Sequence, residues 1–510
     1  MSVLSRRSFL GGATLGAAAL AGSPLAAFAS TKVPAKWDET TSFLIIGTGF
    51  AGLAAALEAH GLGMKANEIM VVDKMPSPGG NSIINGGAVA AAGTDMQKAE
   101  GIKDNPDLLF ADIVKAGGGL AHPSLARRIA DESVENFYWL RDKIGVKFKA
   151  VTFHGGHSVK RSHAVTNNSG SGFINPMLAK LKEYGIEPRL RTIVDEIIVD
   201  ENNCVLGVKA RVNYRYGHEK SGKVTYIRAT KGVLLASGGF SNNVKMRMSH
   251  DPRLNEKFDS TNHPGATAND SGSPDDRCQH HSDGLDPDGP WTSPDEKGFG
   301  LAPLFVESAL GYGPMIDPVT AKRFIQESGN RKVRADAIVA MGHPAVIYTT
   351  LKNAETAIIG KNMTKELYDR AVKNGVIKVY PDLKAMADDL KIPFDALKKT
   401  NDTFNGYIKD QKDPDFNCMM FKNAVPNVEG PFLAVRLWPR VHHTMGGLEI
   451  NDQAQVLDVR GNPIQCLYAA GEVTGGVHGM VRLGTVAVAD CMIFGRIAAR
   501  TANACKGCGK

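Results

Sequence analysis

Two adjacent histidines and one arginine near the end of the chain, His442, His443 and Arg482, are of the types best suited to chemistry. They lie in two glycine-rich stretches, VHHTMGGLEI and GEVTGGVHGMVRLGT, whose glycines let the backbone pass close to a large planar ligand. A guanidinium offers a planar fork of donors and an imidazole can add one more hydrogen bond, so His442 and Arg482 could hold a carboxylate together. Taken alone, these residues also fit a glycine-rich core loop with a surface arginine.

A nucleotide-binding pattern begins at residue 43. An apolar strand at 43–46 runs into GTGFAG at 47–52, a helix of small residues follows, and a second strand at 68–72 ends at Asp73. This order of strand, G-x-G-x-x-G, helix, strand and acid has the spacing of a dinucleotide fingerprint. The glycines let a pyrophosphate approach the helix N-terminus, and Asp73 can bind ribose hydroxyls.

The stretches that follow decide which dinucleotide is expected. PGGNS and NGG come after Asp73, and this continuation suits a flavin that lies extended across the domain. An apolar strand at 232–236 ends in Ser237-Gly238-Gly239, and Tyr468-Ala-Ala-Gly471-Glu472 repeats the pattern of strand, glycine and acid. Three strand ends meeting one cofactor favour non-covalently bound FAD over a nicotinamide cofactor.

Composition excludes several other classes. The chain has 510 residues, 43% of them hydrophobic, which is ample for a large core and at least two domains. The net charge of +7 comes from interleaved acids and bases, without a basic stripe that carries aromatic residues. We therefore expect no nucleic-acid partner, and the mild positive balance suits anionic substrates or an acidic redox partner.

The N-terminus has the pattern of an export signal. Arg6 and Arg7 precede a short apolar run rich in glycine and alanine, and Ala27-Phe-Ala29 offers a cleavage site. Residues 1–29 are therefore predicted to be a twin-arginine signal peptide, and the mature protein is expected in the periplasm without stable membrane insertion.

Seven scattered cysteines do not form the pattern of a disulfide framework. Cys505-Lys-Gly-Cys508 is followed by glycine instead of the histidine that haem attachment requires, so a frayed tail is expected and no metal site is predicted. Elsewhere, periodicity predicts helices at 127–140, 176–184, 365–374, 383–390 and 395–410, and a hairpin at 193–211. Residues 155–163 are expected to be a polar loop, in which His157 and His163 are given no role in proton transfer.

The motifs taken in order resemble those of a known family. They resemble those of the soluble flavocytochrome-type fumarate reductases and the related urocanate and other 2-enoate reductases. The motifs that carry the resemblance are GTGFAG, GGNS, GGHSVKRSH, LLASGGF, STNHPGAT, KRFIQESGNR, HHTMGG and GEVTGGVHGMVRLG. The resemblance implies an α/β fold in which a Rossmann-like FAD-binding domain (30–290 and 441–510) is interrupted by an α+β capping domain (291–440). No haem domain is expected.

Motifs and resemblance together imply a set of cofactor-binding residues. These are Gly47, Gly49, Phe50, Ala51, Gly52, Asp73, Lys74, Gly79, Gly80, Asn81, Ser82, Gly86, Gly87, Ser237, Gly238, Asp270, His443, Gly471, Glu472, Arg482, Thr485 and Val486.

The resemblance also implies a mechanism. Reduced flavin would deliver hydride to a double bond conjugated to a carboxylate, while His442 and Arg482 clamp that carboxylate and stabilise its growing charge. Arg331 matches the arginine that donates a proton in the family, and Glu307 matches the acid of its proton relay. Leu310 stands where the family has a relay arginine, so the route by which Arg331 regains its proton is left open.

Departures from the family pattern bear on the substrate. Residues 289–294, GPWTSP, lack the histidine that holds the second carboxylate of fumarate, and Val306 stands in place of a threonine. A second carboxylate against Trp291 and Val306 would be buried without donors, whereas an apolar or aromatic group would fit there. The sequence therefore predicts a 2-enoate with one carboxylate, such as acrylate, methacrylate, cinnamate or urocanate.

Several alternatives remain at this level. The electron donor is expected to be a separate c-type cytochrome. Rival functions are a fumarate reductase, a desaturase of the ketosteroid dehydrogenase type, an electron-transfer flavoprotein subunit, and a binding protein without chemistry. His280 and His281 could meet an imidazole or phenol substrate, but a solvated insertion is the preferred interpretation.

Overall fold

The fold is that of a computed structural model, which describes residues 32–154, 156–268, 280–281, 285–286, 292–298, 300–329, 331–361 and 363–508. The side chains of residues 280, 281, 285, 286 and 331 are outside this description. The predicted signal peptide at 1–29 also lies outside the described residues. It therefore stays a prediction.

The described residues alternate between strands and helices. The helices are α1 Phe50–Gly61, α2 Gly80–Ile84, α3 Asp95–Ala99, α4 Pro106–Ala116, α5 Pro123–Tyr138, α6 Ser171–Glu183, α7 Val244–His250, α8 Ala302–Ala309, α9 Arg331–Met341, α10 Leu351–Ala357, α11 Lys365–Lys373, α12 Leu383–Leu390, α13 Phe394–Asp410 and α14 Val486–Ala504. A 3₁₀ turn spans Ala66–Glu68, and a π-helical turn at Trp139–Ile144 extends α5. The strands are β1 Glu39–Ile46, β2 Ile69–Val72, β3 Ala88–Ala90, β4 Phe148–Thr152, β5 Ser162–Val165, β6 Thr192–Val199, β7 Val205–Val212, β8 Lys223–Leu235, β9 His280–His281, β10 Leu285–Asp286, β11 Met315–Ile316, β12 Ala345–Thr350, β13 Lys378–Tyr380, β14 Phe432–Leu437, β15 His443–Thr444, β16 Gly447–Leu448, β17 Gln455–Leu457 and β18 Pro463–Ala469.

The largest sheet places the three predicted strand ends side by side. β1 pairs in parallel with β2 on one side and with β8 on the other, and β18 pairs in parallel with β8. The C-terminal part of each strand is a largely buried apolar run, FLII in β1, IMVV in β2, GVLL in β8 and CLYA in β18. Parallel strands end at one edge, so the residues that follow β1, β8 and β18 meet there.

A second sheet with its own core lies between the two halves of the first in the sequence. Its strands are antiparallel in the order β11, β12, β14, β13. Helices α8 to α13 pack around it, and α11, α12 and α13 agree with the predicted helices within a residue or so at each end. The chain thus has the predicted α/β architecture, in which a second α+β unit interrupts the nucleotide-binding unit. The domain boundaries themselves remain predictions.

The predicted polar loop at 155–163 is more buried than expected. Arg161 is fully buried and forms ion pairs with Asp104 at 2.9 Å and Asp112 at 2.7 Å. Ser162 and His163 are also fully buried and open strand β5. Residues 156–161 form neither helix nor strand, so the loop prediction is confirmed up to the start of β5. The burial of Arg161 was not foreseen because its partners lie about 50 residues upstream, where no local pattern marks them.

Among the described residues, no helix combines the length and the apolar character needed to cross a bilayer.

Candidate active site

A deep cleft opens where β1 ends and α1 begins. Gly47 follows β1 with φ +116°, and a Cβ atom there would lie 2.1 Å from the Ala236 carbonyl oxygen at the end of β8. A side chain would therefore separate the two strand ends, so the turn requires glycine. Helix α1 starts at Phe50, whose amide donates to Ser82 Oγ at 3.0 Å, and its N-terminus borders the cleft, where the helix dipole favours a pyrophosphate.

Asp73 joins the two glycine-rich turns that border this cleft. Its Oδ2 atom accepts hydrogen bonds from Thr48 N at 3.0 Å and from Thr48 Oγ1 at 2.5 Å, and its Oδ1 atom accepts one from Met75 N at 2.9 Å. Thr48 Oγ1 accepts in turn from Gly79 N at 3.0 Å. Because a carboxylate has about four acceptor positions, Asp73 keeps capacity for a ribose hydroxyl.

The cleft is lined largely by the predicted cofactor residues. The predicted residues in its wall are Gly47, Gly49, Phe50, Ala51, Asp73, Lys74, Gly79, Gly80, Asn81, Ser82, Ser237, Gly238, Gly471 and Glu472. The wall residues that sequence reasoning missed are Thr48, Met75, Ala236, His263, Gly265, Ala266, Ala470 and Cys491. His263 and its neighbours belong to STNHPGAT, a motif that supported the family resemblance without receiving a role.

The cleft also contains groups that call for a polar ligand. Ser237 Oγ is buried in its wall and has no hydrogen-bond partner among the described residues. Gly238 has φ +77°, and no atom lies within 4 Å of the position of a Cβ atom there. An orphaned hydroxyl, open glycine backbone, a helix N-terminus and an acid at the end of β2 fit the extended shape and chemistry of FAD.

Seven other predicted cofactor residues of the described chain lie outside the cleft wall, namely Gly52, Gly86, Gly87, His443, Arg482, Thr485 and Val486. Gly52 is buried in α1, where a Cβ atom would lie 2.0 Å from the Gly47 carbonyl oxygen. Gly86 and Gly87 precede β3, and Gly87 N donates to Asn85 Oδ1 at 2.6 Å. Thr485 and Val486 begin α14, where Thr485 Oγ1 lies 2.8 Å from Ser162 Oγ. Asp270 is outside the described residues.

The histidine pair and Glu472 form a largely buried cluster. His443 Nδ1 lies 3.8 Å from Glu472 Oε2, and Glu472 Oε1 accepts hydrogen bonds from Thr444 N at 3.0 Å and Thr444 Oγ1 at 3.2 Å. Burial, reinforced by the charge of Arg482, holds the pKa of His443 well below its ordinary value. Burial raises the pKa of Glu472, against the opposing effects of Thr444 N–H and Arg482. His443 is therefore neutral, and Arg482 supplies the positive charge here.

His442 is held in a different way from its neighbour. Its Nδ1 atom lies 2.6 Å from Thr261 Oγ1, and Thr261 follows an isolated bridge between Ser260 and Val441. The hydroxyl fixes the orientation of the ring. If Thr261 donates to Nδ1, the imidazole proton is on Nε2, where it can be offered to an anion.

Predicted residues of the second unit are less completely placed. Arg331 begins α9, but its side chain, like the whole of Trp291, lies outside the described part of the chain. Val306 is fully buried on α8 among core residues that include Phe305, so it has no exposed surface to offer a ligand in this conformation. Glu307, next to it on α8, is exposed.

Comparison with known proteins extends the picture. A family model described as an FAD binding domain matches residues 42–488. The acrylate reductase flavoprotein subunit of Shewanella woodyi is 38% identical over 98% of this chain and 98% of its own length. Urocanate reductase of Eggerthella lenta is 32% identical over 90% of this chain and 74% of its own length. The open conformation of a flavocytochrome c3 fumarate reductase has a TM-score of 0.75 at 30% identity, over 92% of this chain and 79% of that chain.

The chain belongs to the FAD-dependent fumarate and enoate reductase family. It is an FAD-dependent oxidoreductase that acts on CH–CH bonds, and the cleft at the ends of β1, β8 and β18 is suited to hold the cofactor. In this member of the family, the glycine turns and Asp73 are positioned for the dinucleotide part of FAD. The cluster of His443, Glu472 and Arg482 lies beyond Gly471 at the end of β18.

Proposed function

We propose that the substrate is a 2-enoic acid with a single carboxylate, such as acrylate, methacrylate or an arylacrylate. The observation that carries the proposal is the match to an acrylate reductase subunit over almost the full length of both chains. The lack of a histidine at 289–294 agrees with it. A second carboxylate buried without hydrogen-bond donors would cost several kcal/mol.

His442 and Arg482 are proposed to hold the carboxylate. Bound FAD, once reduced, supplies the hydride that adds to the β-carbon of the alkene. Electron density then accumulates on the carboxylate, and the guanidinium of Arg482 with the Nε2 proton of His442 stabilises it there. Because burial lowers the pKa of His443 and keeps it neutral, the positive charge that faces the carboxylate is that of Arg482.

Arg331 is proposed to donate the proton that the α-carbon requires. Its position at the start of α9 gives this turn a strongly cationic character, since Lys332 and Arg334 follow it. The pKa of a free arginine is far above neutrality, so a donor of this kind must regain its proton rapidly. Exposed Glu307 on α8 can exchange protons with solvent, and it is proposed to return the proton through water because Leu310 cannot.

The proposal is tested by steady-state assays with reduced viologen as donor. Acrylate, methacrylate, cinnamate, urocanate and fumarate are compared by their kcat/KM values. We expect at least one monocarboxylate to exceed fumarate by about tenfold or more, which corresponds to about 1.4 kcal/mol of transition-state binding. A fumarate value far above every monocarboxylate would show that the second carboxylate is bound, and the substrate class would be wrong.

Arg482→Ala separates a reductase from an electron carrier without a substrate of its own. Enoate turnover should fall by about 100-fold or more while FAD stays bound, because the variant loses the charge that stabilises the transition state. Asp251 holds Arg253 at an exposed surface site, so Arg253→Ala serves as a control for loss of an arginine. Unchanged electron transfer from viologen to a secondary acceptor, with no enoate turnover in either protein, would favour the carrier.

We further propose a periplasmic location and a separate c-type cytochrome as the electron donor. The paired Arg6 and Arg7 and the cleavage pattern at 27–29 support export. The C-x-x-C at 505–508 lacks the following histidine that haem attachment requires, which supports a separate protein as the haem carrier. Cell fractionation with N-terminal sequencing tests the first point. A cytoplasmic protein that retains its first residues would contradict it.

A further inference from the structure

Four cysteines that are far apart in the sequence converge at the edge of the large sheet. Sulfur atoms of Cys204, Cys466 and Cys508 all lie within 4.8 Å of one another, and Cys505 Sγ lies 3.5 Å from Cys466 Sγ. Cys508 Sγ is 3.0 Å from Cys466 Sγ. We call these residues the four-cysteine cluster. Cys466 lies in the middle of β18, whose C-terminal end leads into the cofactor cleft at Ala470 and Gly471.

The C-terminal segment is anchored and not frayed as predicted. Lys231 Nζ, on β8, donates to the Asn503 carbonyl oxygen at 2.6 Å. Gly507 has φ +80°, and a Cβ atom there would lie 2.3 Å from the Thr230 carbonyl oxygen. Glycine is therefore required for the turn to lie against β8, and this contact brings the last two cysteines to the sheet.

The turn from Cys505 to Cys508 has the form of a metal-binding loop. Two cysteines are separated by two residues, which is the common spacing of paired thiolate ligands. Gly507 N donates a hydrogen bond to Cys505 Sγ at 3.3 Å, a contact that stabilises charge on the sulfur.

The other two cysteines come from adjacent strands. Cys204 immediately precedes β7 and forms a bridge with Gln465 on β18, so the next residue, Cys466, lies beside it. Cys204 and Cys466 are both buried. Cys466 has φ +60°, which is unusual for a residue with a side chain. The sheet and the C-terminal turn thus each contribute two sulfurs to one small volume.

We propose that the four-cysteine cluster binds one thiophilic metal ion, zinc or iron, through four thiolates. Four cysteine sulfurs are the ligand set of tetrahedral zinc and single-iron centres. With metal–sulfur bonds of about 2.3 Å, the sulfurs of such a site lie about 3.8 Å apart. The Cys466–Cys508 and Cys466–Cys505 sulfur distances of 3.0 and 3.5 Å are close to this spacing, whereas Cys204 and Cys508 must be in the reduced form and their sulfurs must separate. Each thiol releases its proton to solvent as a metal–sulfur bond forms, and no oxidation or reduction takes place.

A disulfide is the main alternative for this cluster. The structure joins Cys204 and Cys508 as a disulfide, with Cα atoms 6.2 Å apart. That bond uses two of the four sulfurs, and Cys466 and Cys505 remain as free thiols 3.5 Å apart beside it. A metal accounts for all four. Export of an already folded protein would allow the metal to be inserted before the chain meets an oxidising compartment.

A second set of possible ligands, Glu327, Asp413 and Cys418, does not carry the same inference. The guanidinium of Arg323 already bridges Glu327 and Asp413, with hydrogen bonds of 2.6 to 3.1 Å to both carboxylates. Cys418 is buried but belongs to the second unit, so it provides a matched control for a cysteine substitution.

The test is metal analysis of the FAD-loaded protein, purified without a metal-affinity step. We expect about one zinc or iron atom per chain and a metal-edge X-ray absorption spectrum fitted by four sulfurs at about 2.3 Å. Cys466→Ser and Cys505→Ser should each lose most of this metal, whereas Cys418→Ser should retain it. Either metal supports the proposal, and the absorption edge identifies which one is present.

A measurement on the unmodified protein keeps the test valid if a variant does not fold. Titration with an organomercurial should release the metal to a chromogenic chelator as the cluster thiols react. The proposal is overturned if the protein contains no stoichiometric metal, or if its metal has nitrogen or oxygen ligands. A mass two hydrogens below that of the reduced chain, with the Cys204–Cys508 cross-link found in peptides, would identify the disulfide instead.

Discussion

Asp73→Asn is predicted to weaken FAD binding through the two turns that Asp73 joins. The carboxylate accepts from Thr48 N, Thr48 Oγ1 and Met75 N. An asparagine has one oxygen, so in either orientation of the amide its NH₂ group faces a backbone N–H that has lost its acceptor. Each such loss costs about 1–3 kcal/mol, which corresponds to a rise of about 5- to 150-fold in the Kd of FAD if the cost falls on the bound state.

The assay is titration of apoprotein with FAD, followed by quenching of flavin fluorescence. Asp458→Asn is the matched control, because Asp458 accepts hydrogen bonds from Arg460 N and Asn462 N, both at 2.9 Å, in a turn that is not part of the cleft wall. The control should leave the Kd unchanged. A Kd for Asp73→Asn within about twofold of the unmodified protein would refute the reasoning, since even the lower estimate exceeds that change.

Three further predictions concern packing, protonation and the proposed proton donor. Gly52→Ala should greatly reduce the yield of folded protein, because its Cβ would lie 2.0 Å from the Gly47 carbonyl oxygen. Gly61→Ala on the same helix is the control, since its Cβ would meet no atom within 4 Å. In urea unfolding the control should be neutral or stabilising by up to about 1 kcal/mol. Burial lowers the pKa of His163 to about 4 in the folded protein. Between about pH 6.5 and pH 4 this histidine is therefore protonated in the unfolded chain but not in the folded one. The free energy of unfolding should fall by up to about 3 kcal/mol as the pH drops through this range. His163→Gln should flatten this part of the pH profile of unfolding, and an unchanged profile would contradict the assignment. Arg331→Gln should lower kcat by about 100- to 10,000-fold without loss of FAD, and a kcat within a few-fold of the unmodified protein would exclude Arg331 as the proton donor.

The nucleotide-binding half could be predicted because its signals are local. The pattern specifies strand ends that must meet at one edge of a parallel sheet. It consists of glycines at 47, 49 and 52, an acid at 73, and an apolar run before each turn. The same reasoning extended to Ser237 and Gly471, which follow β8 and β18 and lie in the same cleft wall. Thr48 was missed because its role, a bridge between Asp73 and Gly79, depends on side-chain geometry that the motif does not encode.

Other features depend on contacts between distant segments. The cysteines at 204, 466 and 508 are brought together by the strand order and the C-terminal turn, which their spacing does not reveal. Val306 could have been placed, since Ala302, Phe305, Val306 and Ala309 recur at helical spacing and are all buried. Its place on the buried face of α8 follows from this spacing, and a family motif that specifies only its chemical type does not show it.

Anaerobic mixing of the reduced holoenzyme with acrylate tests the central claim most directly. The flavin absorbance should return on mixing, and about one equivalent of propionate should form per FAD, because the double bond accepts the hydride and a proton within one turnover. Propionate added instead should leave the flavin reduced. If the flavin also stays reduced with acrylate and with every other enoate tested, while FAD remains bound, the chain is not an enoate reductase and the account fails.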